Sequence, residues 1–172
     1  MSNLATMEEP QSFEYVHLDQ VDPSFTPIDD DFYTLKILSA ERREYDVKPG
    51  SKAYTGVPGQ KGEYINFGFA VTDSAKFAGR RVYESLFPNG FTFKVMRNIQ
   101  DAVGISQDGD TTAWLAKLST VQPLVKLKVA IVPDVNRDGT PNPKTAKTQA
   151  DGTIVPGNKN VIDWKAGVQP VN

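Results

Sequence analysis

The chain has 172 residues, 39% of them hydrophobic, and a formal net charge of −2, which suits one globular domain with a core of ordinary size. It has no cysteine and one histidine, His17. That excludes disulfide frameworks, thiolate zinc sites, cysteine nucleophiles and histidine-based metal sites or triads. No apolar run approaches the roughly 18 residues of a membrane span, and Met1 to Gln11 lacks the basic-then-apolar pattern of a signal peptide. The expectation is a soluble, cytoplasmic protein.

Charge is unevenly spread. Residues 1–31 carry eight acids (Glu8, Glu9, Glu14, Asp19, Asp22, Asp29, Asp30, Asp31) and no Lys or Arg. Residues 32–172 hold all 19 basic residues against 13 of the 21 acidic ones, a balance of +6. Such asymmetry points to a polyanionic partner, or to a solubilising tail on an average body. With Pro10, Pro23 and Pro27 and few periodic apolar positions, 1–31 reads as a mostly extended acidic arm. Residues 32–172 read as the folded domain.

The elements follow in chain order. Phe32–Tyr45 is a strand-length run of β-formers and charges, and Val47–Gly62, rich in Gly, Pro, Ser and Lys, is a long loop. Glu63–Thr72 alternates cleanly. Ile65, Phe67, Phe69 and Val71 take the core face, while Tyr64, Asn66, Gly68 and Ala70 form a flat, small opposite face. Asp73–Gly79 is a turn and Arg80–Phe87 the returning strand. Val95, Ile99 and Val103 have helical spacing within Phe91–Val103, with Gly104 as C-cap. Asp110 caps a second short helix, Thr111–Leu118, in which Trp114 is a core residue. Leu124–Val132 alternates again, with Val125, Leu127, Val129 and Ile131 inward and Lys126, Lys128 and Ala130 outward. Pro133–Asn158 is a long polar loop, and Asn160–Lys165 a last short strand.

Five strands with a helix between the third and fourth follow the order of an OB-fold, an all-β, partly open Greek-key barrel with one or two short helices here. The two long loops fall between strands one and two and strands four and five, where OB-folds embrace oligonucleotides. A sequence-independent single-strand binder needs a basic groove for phosphates and aromatic rings for bases. Candidates are Arg42, Arg43, Tyr45, Lys48, Lys52, Tyr54 and Lys61 around the first loop. Tyr64, Arg80, Arg81 and Tyr83 follow on the central hairpin. Lys126 and Lys128 lie on the fourth strand, Arg137, Lys144, Lys147 and Lys159 along the second loop, and Trp164 on the last strand. Each also has a plainer explanation: strand lysines keep a surface solvated, and Trp164 can pack into the core.

The run GEYINFGFAVTDSAKFAGRRVYESLF, then a helix, VKLKVAIV, a long polar loop and NVIDWK, resembles the OB-fold single-stranded-DNA-binding proteins of tailed bacteriophages over about residues 32–166. The resemblance implies a non-enzymatic protein that protects single strands during DNA replication and recombination in the host cytoplasm. It also implies oligomers and replication or recombination proteins as partners. Such families often carry an acidic C-terminal tail that recruits partners; here the C-terminus is AGVQPVN and the acid lies at the N-terminus. That arm is a candidate polyanion mimic that occupies the basic groove until DNA displaces it. DNA and RNA are not distinguished, since no residue pattern reports a 2′-OH contact.

Asp134-Val-Asn136-Arg-Asp138-Gly139 matches the start of a calcium loop, but position twelve is Thr145 where a bidentate Glu is needed. The same stretch is good turn chemistry. No cofactor is expected: there is no Walker-type loop and no GxGxxG after a strand. A two-metal nuclease site would need scattered acids such as Glu63, Asp73 and Glu84. The competing function is a virion structural or decoration protein on a β-barrel; a third is a protein-binding adaptor.

Overall fold

The computed structural model describes residues 27–172. His17 and most of the acidic arm lie outside the described residues. One antiparallel sheet organises the chain. Its strands are β1 (Asp31–Asp46), β2 (Lys61–Val71), β3 (Arg81–Leu86), β4 (Leu124–Pro133) and β7 (Asn158–Ile162). They run in the order β3-β2-β1-β4-β7, with β8 (Val168–Gln169) also on β4. Helices α1 (Gly90–Val103) and α2 (Thr111–Val121) connect β3 to β4. Among the described residues no helix is long and apolar enough to cross a membrane.

Strand β1 is 16 residues long and changes phase midway. Tyr33, Leu35 and Ile37 face the core; after a bulge between Ile37 and Ser39 the buried position is Ala40. A one-residue slip sends every later side chain to the other face. Ser39, Glu41, Arg43 and Tyr45 therefore point outward, where an unbroken alternation would have turned them in. The C-terminal end of α2 holds the bulge. Ser119 Oγ accepts from the Ala40 amide at 2.8 Å. The Gln122 side-chain amide donates to the Leu38 carbonyl at 3.3 Å. These bonds satisfy backbone groups that the distorted ladder leaves unpaired.

The core joins Phe67, Phe69 and Val71 of β2, Val125, Leu127 and Val129 of β4, and Ile99, Trp114, Leu115 and Leu118 of the helices. Each helix starts where a short polar side chain can cap it. Asn89 accepts from the Thr92 amide at 2.9 Å, and Asp110 from the Ala113 amide at 2.8 Å. Trp114 donates its indole N–H to the Ile105 carbonyl at 2.9 Å.

The structure departs from the sequence expectation at several places. Ile28, assigned to the arm, is buried in the core, and Asn160 clamps its backbone by donating to its carbonyl and accepting from its amide, both at 2.7 Å. Ile131 is exposed; it lies beyond Val129, where β1 stops pairing with β4. The long second loop contains a hairpin of two-residue strands, β5 (Lys147–Thr148) and β6 (Ile154–Val155). The last strand ends at Ile162; Trp164–Ala166 is a 3-10 turn that carries the chain along β4 to β8.

The sheet does not close into a barrel through its backbone. Its ends, β3 and β7, come close, and Glu84 of β3 accepts from the Ile162 amide at 2.7 Å. Burial raises the Glu84 carboxyl above its ordinary value, opposed by that amide and by Lys159.

Candidate nucleic-acid interface

The strand register builds one outer face from β1, β2 and β3. Arg43 lies opposite Tyr64 and Tyr45 opposite Gly62; Ser85 lies opposite Asn66 and Tyr83 opposite Gly68. The two glycines let rings lie flat on the sheet. A Cβ at Gly62 would stand 2.5 Å from the Tyr45 ring, and one at Gly68 would stand 2.6 Å from Ser39 Oγ and 3.1 Å from the Tyr83 ring. Any larger side chain would lift those rings.

At the far end of this face three rings gather. Tyr45 and Phe87 meet edge-to-face with centroids 5.7 Å apart, Tyr64 and Phe87 lie 5.8 Å apart, and Tyr45 and Tyr64 6.2 Å apart. They line an open groove of about 840 Å³ whose other walls include Lys48 and Lys52 from the first loop and Arg137 from the second. The two loops, distant in sequence, thus meet over the aromatic rings. Lys48, Lys52 and Arg137 are exposed and form no ion pair among the described residues. Phe87 was missed as a site residue, yet it continues the outward positions Arg81, Tyr83 and Ser85 by one more step of two.

Other expected contacts lie elsewhere. Arg42 is on the opposite face from Arg43, where its Nε donates to Glu63 at 2.9 Å. Arg43 pairs with Glu41 at 2.9 Å, and Lys61 with Asp46. Arg81 and the 55%-exposed Tyr83 remain on the outer face, in line with the groove. Arg80 falls in the turn before β3, its amide donating to the Phe77 carbonyl at 2.9 Å. Tyr54 is half-buried in the first loop and does not line the groove.

On β4 the pattern differs. Lys128 is held between Asp30 at 3.3 Å and Asp163 at 3.7 Å, and Lys126 lies opposite Gln169 of β8. Lys159 pairs with Asp134 at 3.2 Å. Lys144 and Lys147 are exposed on the second loop. Trp164, assigned to base stacking, instead packs against the core, 6.0 Å from the Phe69 ring.

The Asp134–Gly139 stretch is a turn in which Asp134 and Asp138 accept from the chain's own donors. Asp134 Oδ2 accepts from Thr145 Oγ1 at 2.8 Å and from Asn142 Nδ2 at 3.0 Å. The Thr145 hydroxyl, with Lys159 and Asn142, holds the Asp134 carboxyl below its usual range. Asp138 accepts from the amide and hydroxyl of Thr140. Among the described residues no three His, Cys, Asp or Glu side chains gather as a metal site. Set against known proteins, the chain matches no family model, no curated protein and no solved structure.

Proposed function

We propose that the chain is an OB-fold-type barrel that binds single-stranded nucleic acid in the groove between its two long loops, as a binding protein rather than an enzyme. The observation that carries this is the groove itself: Tyr45, Tyr64 and Phe87 side by side, with Lys48, Lys52 and Arg137 at its walls. Rings of this kind stack bases of any sequence, and the cations meet phosphates. Further support comes from the strand path β3-β2-β1-β4-β7. It is the order of an OB barrel with β7 as fifth strand, and the Glu84–Ile162 bond spans the seam that such a barrel would close. The groove also lies on the β2–β3 face beside the loops that OB-folds use. The resemblance to phage single-strand-binding proteins supplies the setting, protection of single strands in replication or recombination.

Fluorescence anisotropy tests this directly. A labelled oligo-dT of about 30 nucleotides exceeds the roughly 4–16 that one OB-fold covers. It should bind tightly at about 50 mM salt, weakly at about 200 mM, and far better than the same-length duplex. No binding to either at low salt would overturn the proposal and leave a structural role in a viral particle as the better account.

A further inference from the structure

The ladder between β2 and β3 stops at the pair Ile65–Leu86. Beside it a second cavity, of about 260 Å³, opens between the sheet and α1. Its apolar walls are Tyr64, Ile65, Leu86, Pro88, Phe93 and Met96. Phe93 is 60% exposed on α1, so its ring contributes little to the core and stands as a free wall. Arg42 and Glu63 also line the cavity and are about half exposed, at 48% and 44%.

Tyr64 lines both this cavity and the aromatic groove; the groove lies on the outer face and Arg42 on the opposite one, so the two adjoin around the edge of β2 past Ile65, where the β3 ladder has stopped. We propose that the cavity receives one unstacked base of the strand whose neighbours stack on Tyr45, Tyr64 and Phe87. This rests on the single-strand proposal above and adds base preference to it. Splayed-out bases are held by stacking on aromatic rings and by hydrogen bonds to their edges. The cavity is smaller than the roughly 300–1,000 Å³ of pockets for drug-sized ligands, as one planar base requires.

The Arg42–Glu63 pair supplies the edge contacts. Arg42 uses its Nε and one Nη toward Glu63, which leaves guanidinium N–H donors free, and each carboxylate oxygen keeps a spare lone pair. An arginine donor suits the O6 of guanine, and a glutamate acceptor suits the amino group of cytosine. The pair therefore selects a base that offers an acceptor and an amino group together, adenine, guanine or cytosine, over thymine, which has no amino group.

The test uses short oligo-dT carrying one central adenine, guanine, cytosine, thymine or abasic site, competed against labelled oligo-dT on the full chain. Wild type should prefer adenine, guanine or cytosine over the abasic site by about tenfold, as one held base implies. Phe93→Ala should abolish that preference, and plain oligo-dT should still bind through the aromatic groove. Glu63→Gln should weaken the choice against thymine; circular dichroism checks the fold of each variant. Tight oligo-dT binding with no influence of the central base would overturn the base pocket alone. Failure of oligo-dT to bind would overturn both proposals. A dimer that Phe93→Ala dissociates, with base preference unchanged, would assign the cavity to a second copy of the chain and overturn the base pocket.

Discussion

Two regions of this protein carry clustered cations and differ in what faces them. Around the aromatic groove, Lys48, Lys52 and Arg137 stand at the mouth of a cluster of rings and form no ion pair among the described residues; Asp46, which also lines the groove, pairs with Lys61. On the β4–β7 side, Lys128 and Lys159 are held by Asp30, Asp163 and Asp134. A polyanion gains most where cations are not already neutralised, because counterion release requires that the protein supply uncompensated charge. The number of lysines alone does not locate a binding face; the acids opposite them do.

The largest expected effect breaks the aromatic side. Tyr64→Ala and Phe87→Ala should each weaken single-strand binding by about 1–3 kcal/mol, roughly 5- to 150-fold. Titration at fixed salt reads this, and an effect under twofold for both would remove stacking from the account. Trp164→Ala should act on the fold instead. Loss of its packing against Phe69 should cost about 3 kcal/mol in urea unfolding, with binding by the folded fraction unchanged; weakened binding at full stability would return Trp164 to the interface.

The salt dependence sharpens the contrast between cations. Replacing Lys48, Lys52 or Arg137 by Ala should each reduce the slope of log K against log salt by about 0.7. Lys128→Ala and Lys159→Ala should leave it within error. Equal losses from both groups would place phosphates on the β4 side as well.

The smallest effect concerns Glu84 at the seam. Burial raises its carboxyl above the ordinary 4.5, so as pH rises the unfolded chain ionises there first. The stability that the protonated group gives below about pH 4.5 is lost as pH climbs through the raised value. Glu84→Gln keeps an acceptor for the Ile162 amide without the buried charge. Its stability advantage over wild type should be small near pH 4 and larger near pH 7 in urea titrations. A pH-independent difference would contradict the burial effect.

Much of the architecture was legible because it is written locally. The alternation of Ile65, Phe67, Phe69 and Val71, and the caps Asp110 and Gly104, each fix an element within a few residues. What was hidden depends on distant partners. The bulge in β1 needs Ser119 and Gln122, some eighty residues away. The two-residue strands β5, β6 and β8 have no periodicity to read, and Ile28 is core only because Asn160 clamps its backbone. The site divides along the same line. Tyr45, Tyr64, Lys48, Lys52 and Arg137 do converge. Arg42 moved to the other face because composition says nothing of the phase shift before it, and Trp164 left the interface because its strand ends two residues earlier.

The most direct test is ultraviolet cross-linking of the full chain to a photoreactive single-stranded oligonucleotide, with the attached peptides located by mass spectrometry. Cross-links at Tyr45, Tyr64 and Phe87, lost in competition with unlabelled single strand and not with duplex, are the predicted result. Cross-links confined to β4 and β7, or none at all at low salt, would contradict the account.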